Sequence, residues 1–217
     1  MSEESDARAV PGRTARRMAD TRKRLLESAM RLFTGRSIDL TRIEDITEEA
    51  DVAKGAFYNY FESKEALVAE LLSEGIDLLD QNYLATVPAA SSDVHAFVAA
   101  LAERHDAFLA DQPGYSLLLH QARGLMLVQE RRVEPLREVI LKYLTTIAAR
   151  LVPAAAGATP PPERVLELAC AFAGTLEGQR SFARAAGITL IPGASRDLAS
   201  GGLAELLRRY LESSGSQ

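Results

Sequence analysis

Residues 53–61 read Ala-Lys-Gly-Ala-Phe-Tyr-Asn-Tyr-Phe. Phe57 and Phe61 stand four apart, one helical turn, and together can pin a short helix to a core. Lys54 and Tyr58, and likewise Gly55 and Asn59, share that spacing on rows that the anchoring leaves outward. An outward Tyr and Asn beside a Lys suit a surface that reads a groove and grips phosphates. Gly55 has no side chain, so a helix backbone there can approach a duplex closely. The plainer alternative is a small packing helix with incidental aromatics.

The flanking sequence supplies the rest of a motif. From about Thr21 to Thr34, Leu25, Leu26, Ala29, Met30, Leu32 and Phe33 mark one face of a helix. Thr41-Arg-Ile-Glu44 has the form of a capping box and opens a short helix carrying Ile43, Ile46 and Ala50. Asp51-Val52 follows as a tight turn, and the next helix runs from about Ala53 to Tyr60. A short helix, a turn of about three residues and a second short helix form a helix-turn-helix, whose second helix lies in the major groove of DNA. Ser63 is placed to cap a fourth helix with Leu67, Val68, Leu71, Leu72, Ile76 and Leu79 on its apolar side.

Charge is distributed unevenly around this motif. Between Arg8 and Arg42, ten basic residues face three acids, an excess of +7; the rest of the chain then carries −12 of the overall −5. A basic head on an acidic body suggests a polyanionic partner for the head, the alternative being a solvated tail.

The remainder reads as helices and connectors. Thr86–Ser92 is a connector, Val94–Leu109 a helix that Gln112-Pro113-Gly114 breaks, and Leu117–Val128 a helix interrupted by Gly124. Val133–Leu151 has the cleanest periodicity, 152–162 is a loop by composition, Val165–Ala185 a long helix and Leu198–Leu211 the last. Only Ile188–Ile191 looks strand-like, and it is too short and isolated for a sheet. The expected fold is all-α, with about nine helices: a disordered basic arm over 1–15, an N-terminal three-helix helix-turn-helix domain over 16–62, and a C-terminal helical ligand-binding and dimerisation domain over 63–217.

Several classes are excluded. The single cysteine, Cys170, permits neither an intrachain disulfide nor a cysteine zinc cage. No run of ~18 apolar residues spans a membrane, and the N-terminal stretch lacks an apolar signal core, so a cytoplasmic location without membrane association is expected. No nucleophile elbow, HExxH, glycine-rich phosphate loop or paired Glu-x-x-His is present, and His95, His105 and His120 are scattered. The chain is therefore expected not to be an enzyme, with no catalytic residues, metal or cofactor.

Residues Thr21–Leu67 resemble the DNA-binding domain of TetR-family transcriptional regulators. The resemblance rests on Leu32-Phe33, Thr41–Ile46, Ala50-Asp-Val52, Lys54–Phe61 and Ser63–Leu67, nearly fifty residues in register without a gap. It implies phosphate contacts from Thr41 and Arg42, base and backbone contacts from Ala53, Lys54, Gly55 and Ala56, further contacts from Tyr58, Asn59 and Tyr60, and a phosphate clamp at Lys64. Arg13, Arg16 and Arg17 are further candidates for the minor groove or the backbone. The sequence departs from the family pattern at Ser37 and Asp51, where glycine is usual, and at Ala53 and Ala56, where Ser or Thr is common.

The resemblance further implies a homodimer formed by the last two long helices, on a palindrome-like double-stranded operator. Ala169, Ala173, Gly174, Gly178 and Ala185 would let helices approach, and Leu203, Leu206, Leu207, Tyr210 and Leu211 would add apolar area; the alternative is that these close the monomer core. The body should enclose a small-molecule effector, with candidates Phe97, His105, Phe108, His120, Gln121, Arg123, Met126, Tyr143, Cys170, Phe172, Thr175, Glu177 and Arg180. Plainer readings stand beside several of these: an inward His105 as a hydrogen-bonded core residue, Met126 and Phe172 as packing, Glu177 and Arg180 as a mutual pair, Cys170 as an inert buried thiol. The expected function is a repressor released from DNA by a small molecule. The alternative is a helical small-molecule-binding or scaffolding protein whose head has weak or lost DNA affinity.

Overall fold

The computed structural model describes residues 12–87, 93–128, 133–151, 162–190, 201–202 and 204–205. Among them are eight α-helices and no strand. The chain divides into two compact units, Met1–Leu67 and Val68–Gln217.

In the first unit, α1 (Arg13–Arg36), α2 (Ile43–Glu49) and α3 (Lys54–Phe57) close around Leu25, Leu26, Ala29, Phe33, Ile38, Ile46, Ala50, Phe57 and Phe61. Helix α1 starts eight residues before Thr21, so residues 13–15 of the expected disordered arm are helical; residues 1–11 of that arm lie outside the described residues. The apolar pattern marked only the part of the helix that is buried. Arg13–Asp20 is wholly exposed, yet consists of residues such as Arg, Ala and Met that favour helix without tertiary help.

The capping box lies one residue later than expected. Arg42 is the N-cap of α2, and its backbone N–H donates to Asp45 Oδ2 at 2.8 Å. Thr41, one position outside, turns its hydroxyl inward and donates to the Ser37 carbonyl at 2.7 Å. The two positions where glycine is usual are the non-glycine residues of positive φ among the described residues, Ser37 at 87° and Asp51 at 51°. Ser37 ends α1 and Asp51 makes the turn before α3.

Helix α4 (Lys64–Asn82) opens with Ser63, whose Oγ accepts the Ala66 N–H at 3.0 Å. From Val68 onward it belongs to the second unit, with a 3-10 turn (Leu84–Thr86), α5 (Val94–Asp111), α6 (Pro113–Val128), α7 (Glu134–Leu151) and α8 (Pro162–Ala186). Asp93 caps α5 by accepting from the backbone N–H groups of His95 and Ala96. Pro113 takes the first position of α6, where its missing N–H costs nothing. Gly124 does not interrupt α6, because flanking Ala122 and Leu125 are buried and hold the turn. Helices α7 and α8 form the most extensive helix pairing in the unit, and Leu136, Val139, Ile147 and Leu151 of α7 and Val165, Leu168, Ala169, Phe172 and Leu176 of α8 are buried.

Ile188–Leu190 has no regular structure. The expected last helix, Leu198–Leu211, lies outside the described residues apart from 201–202 and 204–205, and so do Leu203, Leu206, Leu207, Tyr210 and Leu211. No described helix is long and apolar enough to cross a membrane.

Candidate functional site

The first candidate site is the surface around α3. Phe57 is fully buried and Phe61 nearly so, their rings 5.5 Å apart. Burying an aromatic side chain contributes roughly 1.5–3 kcal/mol, which explains how a helix of one turn is held. With both rings inward, Ala53, Lys54, Gly55, Tyr58 and Asn59 are exposed, while Ala56 and Tyr60 are half-buried. Tyr58 is 56% exposed and meets Phe57 edge-on at 5.4 Å, so its ring is braced while its outer part stays free. A methyl built on Gly55 would meet no atom within 4 Å.

Three of the implied contacts are differently engaged. Arg42 is exposed, but Thr41 is fully buried, its hydroxyl spent on Ser37. Lys64 donates to the carbonyls of Ile38 (2.7 Å) and Thr41 (2.9 Å), so its ammonium ties the connection between α1 and α2. Lys54 forms an ion pair with Glu44 of α2, which raises the lysine pKa and lowers that of the carboxylate, chiefly through their hydrogen bond.

Much of the basic excess is likewise structural. Arg24 donates to the carbonyls of Ala50 and Asp51 and pairs with the Asp51 carboxylate at 3.3 Å, binding the helix-turn-helix turn to α1. Arg31 pairs with Glu49 at 3.1 Å, and Arg36 with Asp45 at 2.8 Å. The acid-rich run Ile43-Glu-Asp-Ile-Thr-Glu-Glu49 was the legible signal for this internal neutralisation.

The second candidate site is in the second unit. Helices α6 and α8 border a recess of about 210 Å³ lined by Ser116, Leu117, His120, Arg123, Glu177, Arg180, Ser181, Arg184 and Ala185. A second recess, about 500 Å³ and more apolar, is lined by His120, Arg123, Gly124, Met126, Leu127 and Ile140. Of the sequence candidates, His120, Arg123, Met126, Glu177 and Arg180 line these recesses. Periodicity alone did not single out Ser116, Ser181, Arg184 and Ile140, because it does not say which helices face each other.

Behind Glu177 runs a buried polar chain. Arg123 holds Glu177 Oε2 at 2.7 Å, the Tyr143 hydroxyl donates to Glu177 Oε1 at 2.5 Å, and His105 Nε2 meets that hydroxyl at 2.6 Å. The tyrosine proton is committed to the carboxylate, so His105 is the donor and carries its hydrogen on Nε2. Its Nδ1 is then a bare acceptor, buried and without a partner. Burial pushes the His105 pKa down to about 4, burial likewise raises Glu177 against the opposing pull of Arg123, and burial followed by the Glu177 charge raises Tyr143.

The other candidates divide. Phe97, Phe108 and Phe172 are core side chains, and Gln121 is half-buried. Thr175 is exposed, its hydroxyl donating to the Ala171 carbonyl at 2.8 Å. Cys170 is exposed, not buried: it falls on the outer side of α8, away from the row of Ala169, Phe172, Ala173 and Leu176. Glu177 and Arg180 do not pair with each other. Arg180 instead donates to Asp106 Oδ1 at 2.5 Å, because α5 offers a carboxylate there while Arg123 of α6 reaches Glu177.

Comparison with known proteins bears on both units. Residues 25–71 match the family model of bacterial regulatory proteins, tetR family. The HTH-type transcriptional repressor DhaR of Mycobacterium sp. (strain GP1) is 39% identical over 70 residues, 32% of this chain and 35% of its own length. The aligned stretch thus spans about a third or less of the curated relatives it first matches. Among solved structures, the multidrug binding protein EbrR complexed with imidazole has TM-score 0.64 at 22% identity, over 93% of this chain and 97% of that one. The regulator FadR of Bacillus subtilis in complex with stearoyl-CoA has TM-score 0.62 at 16% identity, over 85% and 96%. These structures share the fold along most of the chain. Through residues 25–71, this chain is similar to the tetR family of bacterial regulatory proteins.

Proposed function

We propose that this protein is a DNA-binding transcriptional regulator, a repressor that leaves its operator when a small molecule occupies the recesses of the second unit. The observation that carries the reading is the bare surface of α3: Lys54, Gly55, Tyr58 and Asn59 exposed over a helix held by Phe57 and Phe61. Arg42 completes the contacts to the duplex, and Ala53, Ala56 and Tyr60 border them. Thr41 and Lys64 act from behind, shaping the connection that presents Arg42. The relatives with matching heads are regulators rather than enzymes, and two proteins of the same fold have bound imidazole and stearoyl-CoA.

Two copies act together on a palindrome-like site in the cytoplasm, their recognition helices about 34–36 Å apart, one turn of DNA, or a multiple of it. Phe182 of α8, 79% exposed, supports pairing through this helix, since a large apolar side chain there lacks a cover among the described residues. Release requires the effector to favour the unbound state by about 1–3 kcal/mol.

The test is binding of the full chain to fragments of its own genome at two salt concentrations. Sequence-preferring binding that weakens steeply with salt, through counterion release, is expected. Lys54→Ala and Tyr58→Ala should each weaken it about tenfold with no loss of helicity. Unchanged affinity in both variants would remove α3 as the recognition helix, and no sequence-preferring binding at all would leave the alternative, a helical small-molecule-binding or scaffolding protein whose head has weak or lost DNA affinity.

A further inference from the structure

The two recesses of the second unit share His120 and Arg123, and their chemistry differs on either side of that shared wall. One side carries Arg123, Arg180 and Arg184. The single acid lining it, Glu177, is consumed: Arg123 holds one oxygen and the Tyr143 hydroxyl the other. Arg180 is consumed by Asp106. Arg184 is exposed and has no ion-pair partner among the described residues. On the other side, Met126, Leu127 and Ile140 form an apolar wall, in which Leu127 is 89% exposed and has no cover among the described residues.

Building on the effector reading above, we infer that the joined recesses take an amphiphilic organic anion. Its acidic headgroup lies against Arg184 and the outer edge of Arg123, and its apolar body covers Leu127, Met126 and Ile140. Charge decides between the ligand classes. A cation would have to displace Arg123 from Glu177 and then sit among three guanidinium groups. An uncharged molecule would cover Leu127 but gain nothing from Arg184. An anion gains charge-assisted hydrogen bonds from donors already in place, while its chain removes exposed apolar surface from water.

Calorimetric titration of the full chain with octanoate, octylammonium, 1-octanol and inorganic phosphate tests this directly. Octanoate should bind saturably and about tenfold or more tighter than each of the other three. Arg184→Ala and Leu127→Asp, both at exposed positions where folding is not at stake, should each weaken octanoate about fivefold or more. No saturable octanoate binding, equal binding of the ammonium, the alcohol or phosphate, or an affinity indifferent to both variants overturns the inference. The titration needs no DNA, so its failure is separable from that of the regulator reading. A chain that binds octanoate but no operator loses only the latter; a chain released from DNA by cations alone loses only the former.

Discussion

Gly55 lies on the outer side of α3 with open space around its Cα, so nothing within the first unit calls for a missing side chain there. Replacing it with alanine should therefore raise the melting temperature, by the helix preference of alanine over glycine, about 0.5–1 kcal/mol. If the open space is where DNA backbone or base edges come close, the same methyl should lower operator affinity about tenfold or more. Opposite signs in a thermal melt and a DNA titration are the expected result; an unaltered affinity would mean the glycine serves no contact. Lys54 is comparable in that its ion pair with Glu44 must loosen for a phosphate to take the ammonium. Glu44→Gln should consequently tighten DNA binding and steepen its salt dependence, measured by anisotropy across a salt series.

Helix α1 illustrates what an element needs in order to end. Ser37 closes it at φ 87° and ψ 158°, a conformation that suits glycine and strains a residue with a Cβ. The strain persists because Phe33 and Ile38, on either side, are both fully buried and set the path of the chain. Ser37→Gly should relieve about 1–3 kcal/mol of strain against about 0.5–1 kcal/mol of added unfolded-state entropy, a net stabilisation seen as a higher denaturation midpoint. A lower midpoint would show that the serine is comfortable there. The departure from glycine was legible in the sequence; that the backbone nonetheless keeps the glycine conformation was decided by the two buried neighbours.

At the scale of the molecule, the chain from His105 through Tyr143 and Glu177 to Arg123 ties α5, α7, α8 and α6 together, and it makes stability depend on pH. His105 is neutral in the folded protein down to about pH 4, whereas in the unfolded chain it takes a proton near 6.5. Its contribution is complete above pH 6.5 and is lost as pH falls towards 4, about 3 kcal/mol over that window. Glu177 has the opposite sense: with its folded pKa raised, the stability it favours is present at low pH and lost as pH rises through that folded value. Thermal melts between pH 8 and 4 should show an acid limb that His105→Gln flattens and Glu177→Gln does not. An acid limb unchanged in His105→Gln would place the responsible proton elsewhere.

Local patterns determined the head of this protein. Phe57 and Phe61 one turn apart, a capping signal near Thr41 and an unbroken register through Leu67 needed only neighbours in sequence, so the helix-turn-helix and its exposed face could be read from the chain. Boundaries were less legible where burial is absent: Arg13–Asp20 is helical without an apolar row to announce it. Which charge meets which was legible only in part. Arg24, Arg31 and Arg36 looked available to a polyanion and are spent on α2 and its turn, and Arg180 met Asp106 of α5 rather than Glu177 on its own helix. Ion pairs and recesses form between residues tens of positions apart, 74 in the case of Arg180 and Asp106. Helical periodicity tells which side of a rod is apolar, but only the packing of rods against one another tells what that side encloses.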